Sequence, residues 1–70
     1  MPMSPKTQEV YDAIKQAVAE GQDKITANIF SYCFNAASTS AAFRQAKKDG
    51  IIVVNYIGGN NNPVYKGAGT

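Results

Sequence analysis

The spacing of the apolar residues changes at Gly50, and that change constrains the fold more than any other feature of the chain. Before it, apolar side chains recur at helical intervals. After it, Ile51-Ile52-Val53-Val54-Asn55-Tyr56-Ile57 is β-branched and aromatic and reads as a strand. Helices therefore come first and strands last, an α+β order. At 70 residues the chain has room for one core. Residues 1–70 are expected to form a single domain with its ordered core over about 5–66. With 44% hydrophobic and 17% charged residues, the composition is that of a folded chain.

Local signals place the elements. Met1 to Met3 reads as a frayed end. Ser4-Pro5 opens a helix, with Ser4 as cap and Pro5 at the first helical position, where its missing N–H does no harm. Val10, Ile14, Ala17 and Val18 then form one apolar stripe, with Tyr11 at its edge. Gly21 is the C-terminal stop, so the first helix is expected over 5–20. Ile25 is the place for a very short strand. Thr26 caps a second helix to about Phe34, with Ile29, Phe30 and Cys33 on its stripe. Asn35-Ala36-Ala37 reads as a sharp turn, and Ser38 or Thr39 as the cap of a third helix running over 38–48. Asp49-Gly50 closes it. Gly58-Gly59-Asn60-Asn61-Asn62-Pro63 is a loop of residues that tolerate positive φ, and Val64-Tyr65-Lys66 returns as the second strand of a hairpin. Gly67 to Thr70 reads as a flexible tail. The expected core holds Val10, Ile14, Val18, Ile29, Phe30, Phe43, Ile51, Val53 and Tyr65, with Ile51 and Val53 facing one way and Ile52 and Val54 the other.

Several functional classes drop out. The chain has no histidine, which removes the usual general base and most zinc sites. Cys33 is its one cysteine, so neither an internal disulfide nor a thiolate cage can form. Cys33 reads as a small buried hydrophobe. The acids Glu9, Asp12, Glu20 and Asp23 lie on or just after the first helix, without the apolar flanks that would tune a general acid. Gly58-Gly59 does not open a helix, so it is no phosphate loop. No enzymatic activity, cofactor or metal is expected. No apolar run approaches the ~20 residues that span a bilayer, and no signal peptide is visible. A cytoplasmic location without membrane contact is the expectation.

Charge is unevenly placed. Residues 1–23 carry Lys6 and Lys15 against Glu9, Asp12, Glu20 and Asp23, a net of −2. Residues 24–70 carry Lys24, Arg44, Lys47, Lys48 and Lys66 against Asp49 alone, a net of +4. A basic portion of this kind is an electrostatic footprint for a polyanion, and it is also how a small surface is solvated.

Three helices followed by a two-stranded β-hairpin resemble the winged helix-turn-helix superfamily of small bacterial or phage-type regulators. The resemblance is carried by Ser38 to Ile52. There Phe43 stands seven residues and Ala46 four residues before Gly50, and Ile51-Ile52 follow it. The Gly-Asn-rich loop between Tyr56 and Val64 matches the wing. Two departures stand out: Ala46 is smaller than the usual leucine, and Asn35-Ala36-Ala37 contains no glycine.

The resemblance implies double-stranded DNA binding, with the 38–48 helix in the major groove and the 57–64 wing near the backbone or minor groove. Helical projection puts Thr39, Ala42, Phe43 and Ala46 inward. Ala41, Arg44, Gln45 and Lys48 project outward, flanked by Ser40 and Lys47. Arg44 suits guanine and Gln45 adenine; Ala41 suits a thymine methyl, and Ser40 a phosphate or base edge. Lys47 and Lys48 suit phosphates. Asn60, Asn61 and Asn62 at the wing tip could reach the minor groove and Lys66 a phosphate, although such a loop also serves simply to close a hairpin. An outward Arg-Gln-Lys-Lys face is equally that of an ordinary surface helix. The implied role is transcription regulation or architecture at the nucleoid, with a homodimer or a protein partner needed for tight specific binding. The competing reading is a small adaptor or inhibitor that uses the same scaffold to bind a host protein, with Tyr32 and the acidic first helix at the contact.

Overall fold

The computed structural model describes residues 3–68. Three helices, α1 (Pro5–Ala19), α2 (Ala27–Ser31) and α3 (Ala36–Lys48), precede the antiparallel strands β1 (Ile52–Ile57) and β2 (Pro63–Gly67). This is the mixed α+β order expected. Met1, Pro2, Gly69 and Thr70, the outer parts of the expected frayed end and tail, lie outside the described residues.

Helix α1 starts as anticipated. The Ser4 hydroxyl accepts from the Thr7 amide at 3.2 Å, and Pro5 occupies the first helical position. It ends in a Schellman motif: the Gly21 and Gln22 amides donate back to the Val18 and Ala17 carbonyls. Helix α3 ends the same way. Gly50, at φ +76°, donates to the Lys47 carbonyl, and Ile51 donates to the Ala46 carbonyl at 3.0 Å.

The core lies between α1, α3 and the inner side of the hairpin. Val10, Ile14 and Ala17 of α1 meet Ala42, Phe43 and Ala46 of α3, with Ile25, Ile52 and Tyr65 completing the cluster. Ala42 and Ala46 are fully buried; their small side chains let α3 lie close against α1. Phe43 is the aromatic hub, 5.5 Å from the Phe30 ring and 5.4 Å from the Tyr65 ring, centroid to centroid.

Ile25 forms the short bridge expected of it, exchanging backbone hydrogen bonds of 2.9 and 2.8 Å with Tyr65. The lateral order is therefore Ile25, β2, β1. In the hairpin Ile52 stands opposite Gly67, Val54 opposite Tyr65 and Ile57 opposite Pro63, with a bulge between Val54 and Tyr56. The hairpin loop is a 3-10 turn over Gly59–Asn61, with Asn60 and Asn61 both in the left-handed region.

Several expectations are corrected. Helix α2 is a single short helix of five residues and ends at Ser31. Phe30 on the helix and Phe34 beyond its end pack against the core, which leaves Ile29 58% exposed and Cys33 exposed. Helix α3 is capped by Asn35, whose Oδ1 accepts from the Ser38 amide at 2.7 Å; Ala36 and Ala37 are its first turn and not a linker. Thr39 is instead buried, its hydroxyl donating to the Asn35 carbonyl. In β1 the buried residue is Ile52; Ile51 packs at the margin of the core, and Val53 is 41% exposed. Val18 is likewise half-buried at the margin. Tyr65 is buried, as its place in the expected core requires; Tyr11, at the edge of the stripe, is buried as well, and Tyr32 and Tyr56 are exposed. Met3 packs against the core and Gly67 is a buried strand residue, so neither belongs to a loose end.

Candidate nucleic-acid interface

The inward face of α3 is fixed by Thr39, Ala42, Phe43 and Ala46, and its outward residues follow from that anchoring. Ser40, Ala41, Arg44, Lys47 and Lys48 are exposed, and Gln45 is half-buried. The projected inward residues are buried and the projected outward ones exposed, except for the half-buried Gln45; Ser38, which the projection left unplaced, is buried.

Arg44 stands on the crest between two grooves. On one flank, Ser40, Arg44 and Lys47 face Asn28 of α2 and Asn62 of the hairpin loop, over a floor made by Phe43, Pro63 and Tyr65. On the other flank, Ala41, Arg44, Gln45 and Lys48 face Ser4 and Thr7 at the start of α1. The Arg44 guanidinium makes no hydrogen bond or ion pair with another described residue, so its donors are free. Lys47 is partly engaged: its Nζ lies 5.7 Å from the centroid of the Tyr65 ring, a distance suited to cation–π attraction.

The second flank is less cationic than the sequence suggests. The Gln45 amide donates to Asp49 Oδ1 at 2.8 Å, and the Tyr11 hydroxyl donates to Asp49 Oδ2 at 2.6 Å. The Tyr11 hydrogen bond, then that of Gln45 and the charge of Lys48, hold the Asp49 carboxyl below its ordinary range. The same bond, with burial and the nearby charges of Asp49 and Asp12, pushes the Tyr11 phenol up to about 12. Asp49 is thus an anion at the end of the outward face, and Gln45 is already committed to it.

The hairpin loop contributes Asn62 to the first groove, while Asn60, Asn61 and Lys66 do not line it. Asn60 and Asn61 hold the left-handed turn, a conformation asparagine tolerates better than most side chains. Lys66 sits half-buried on β2 opposite Val53. Asn28 is the residue that sequence reasoning did not single out. Its one sequence signal is a polar side chain in the first turn of the helix preceding α3.

Among the described residues no group of three or more His, Cys, Asp or Glu could hold a metal ion, and no helix is long and apolar enough to cross a membrane. No family model matches the chain, and no curated protein or solved structure matches it.

Proposed function

We propose that this chain is a double-stranded DNA-binding protein of the winged helix-turn-helix kind, a cytoplasmic regulator or architectural factor that acts by binding and not by catalysis. Helix α3 enters the major groove, and the Gly58–Pro63 loop rides beside it on the backbone or in the minor groove. The observation that supports this most is the free Arg44 guanidinium on the crest of α3, with Ser40, Lys47 and Asn62 on one groove beside it. An exposed helix with a forked donor at its middle and cations in its last turn has the chemistry for base edges and phosphates together. Lys47 and Lys48 serve phosphates, and Arg44 serves a guanine. Gln45 reads a base only by leaving Asp49.

The test is fluorescence anisotropy of the chain with random-sequence duplex DNA over a salt series. Binding that weakens steeply as salt rises supports the reading; no salt-dependent binding overturns it.

A second reading, a small adaptor or inhibitor of a host protein, is favoured by Tyr32 and Ile29. They are 92% and 58% exposed just after and on α2, and a tyrosine so exposed is a residue type that anchors protein contacts. A predominantly apolar contact through them would lack a steep salt dependence.

A further inference from the structure

We propose that Asp49 is a brake on DNA binding: fixed by Tyr11 at the end of α3, its carboxylate repels backbone phosphates and holds Gln45 off the bases. The proposal rests on the DNA-binding reading and names the residue that limits that binding.

The anion is held in place. Asp49 is exposed at the C-terminal cap of α3. Its Oδ2 accepts from the Tyr11 hydroxyl at 2.6 Å and its Oδ1 from the Gln45 amide at 2.8 Å. Both donors are neutral, so the carboxylate is fixed without being discharged. The Tyr11 ring is anchored in the core. Asp49 therefore cannot swing aside for an arriving phosphate without giving up a charge-assisted bond.

Its place is one that DNA on α3 would meet. Gln45 and Lys48 border the groove that Arg44 lines beside the start of α1, and they also border its continuation along Gln8 and Tyr11 to Asp49. Asp49 follows Arg44 by five residues, which is ~7.5 Å along the helix axis. That lies within the ~8 Å Debye length at physiological salt, so a phosphate drawn to Arg44 or Lys48 also feels Asp49. Asp12 adds to the anionic end: the Gln8 amide donates to its Oδ1 at 2.9 Å, and its charge reaches Tyr11. The α3 dipole has its negative end there as well. Lys48 offsets only part of this. The groove is thus cationic at Arg44 and anionic at Tyr11, so it seats a phosphate at the first end and excludes one from the second.

Two substitutions separate the charge from the hold on Gln45. Asp49→Asn removes the charge and keeps a carbonyl oxygen for Tyr11. It is expected to bind random-sequence duplex DNA roughly five- to tenfold more tightly than the parent at about 50 mM salt, and to lose roughly two-thirds of that advantage by about 200 mM, through a salt slope steeper by about one. Asp49→Ala also frees Gln45, so it should add a preference at one base position, which Gln45→Ala removes again in the double variant. Anisotropy over a salt series reads the first effect, and duplexes varied one position at a time read the second, with circular dichroism as the folding control. A role confined to holding α3 on α1 gives the opposite sign, because both variants would then bind more weakly than the parent. If the parent shows salt-dependent binding and the folded Asp49→Asn binds no more tightly, the brake is overturned and the DNA reading stands. If Asp49→Ala acquires no preference that depends on Gln45, the hold on Gln45 is overturned. If neither the parent nor Asp49→Asn shows salt-dependent binding, the proposal and the DNA reading fall together.

Discussion

Tyr11 and Asp49, 38 positions apart in the chain, are joined by a 2.6 Å hydrogen bond that ties the middle of α1 to the C-terminal cap of α3. The bond explains why a tyrosine at the edge of the α1 stripe is buried: its ring lies in the core while its hydroxyl reaches a surface carboxylate. Tyr11→Phe is expected to lower the melting midpoint at pH 7 by a few degrees while leaving the helical circular dichroism intact. The acid limb follows from Asp49. Its carboxyl is held low in the folded chain, so its contribution is present above the ordinary carboxylate pKa, 3.8, and fades as pH falls through the lowered value. The alkaline limb follows from Tyr11. Its phenol is raised from 10.0 to about 12, so the contribution is complete below pH 10 and fades as pH rises through 12. The gap between parent and Tyr11→Phe should therefore be widest at neutral pH and narrow at both ends. A gap of constant size, measured by thermal melts across pH, would refute the linkage.

Phe43 joins the α2 side of the molecule to the hairpin through Phe30 and Tyr65. Phe43→Ala removes both ring contacts and leaves a cavity, at an expected cost of ~3–5 kcal/mol. A domain this small derives only about 3–5 kcal/mol from its core. The variant should therefore be largely unfolded at room temperature, as circular dichroism with a urea titration would report. A cooperative transition at the parental midpoint would remove Phe43 from its central place.

Gly67 makes a close approach to α1. A Cβ on it would meet Val18 Cγ1 at 2.9 Å, nearer than such atoms pack. Gly67→Ala is expected to destabilise by roughly 1–3 kcal/mol through overpacking. Val18→Ala removes the opposing methyl, so the double variant should be less destabilised than the sum of the two single ones. Strict additivity in urea melts would show that Val18 is not the obstacle.

How far the sequence reveals this fold depends on whether one signal stands alone at a given position. On α1 the apolar stripe and the Ser4 cap have no rivals; the cap is found where expected, and so are Val10, Ile14 and Ala17 of the stripe, with Val18 at its margin. The Thr26 to Phe34 segment offers two apolar i, i+4 pairs, Ile29 with Cys33 and Phe30 with Phe34. Periodicity does not choose between them; the larger aromatic pair, with ring centroids 6.5 Å apart, takes the inside. At the start of α3, Asn35, Ser38 and Thr39 are all competent caps. Asn35 takes the role because Ala36 and Ala37 extend the helix readily. The run from Ile51 to Val54 has no polar member to mark a face. Its phase comes from the Schellman motif at Gly50, which fixes Ile51 against Ala46 and drops Ile52 into the core. The outward face of α3 is legible because the inward one is so well marked. The hydrogen bonds of Asp49 to Gln45 and Tyr11 are not, since one of them joins distant parts of the chain.

The separate roles proposed for Arg44 and Lys48 give the DNA reading its sharpest test. They stand one helical turn apart on α3, both exposed, so one stretch of groove could receive both. The Arg44 fork is free of partners, and a bidentate base contact is the interaction its removal would cost. Arg44→Ala is expected to weaken specific binding by ~1–3 kcal/mol and relax preference at one base position. Lys48 acts on charge alone, and the Asp49 carboxylate beside it tempers that charge. Lys48→Ala should weaken binding to all sequences alike and lower the salt slope by about one at most. Gln45→Ala should cost less specificity than Arg44→Ala, since Gln45 must first give up its bond to Asp49. All three variants should fold as the parent does, because none of these side chains lies in the core. Anisotropy titrations with matched and scrambled duplexes, with circular dichroism as the folding control, decide the matter. If the folded Arg44→Ala and Lys48→Ala variants bind every duplex as the parent does, α3 is not the contact surface, and Tyr32 with Ile29 becomes the surface to probe against protein partners.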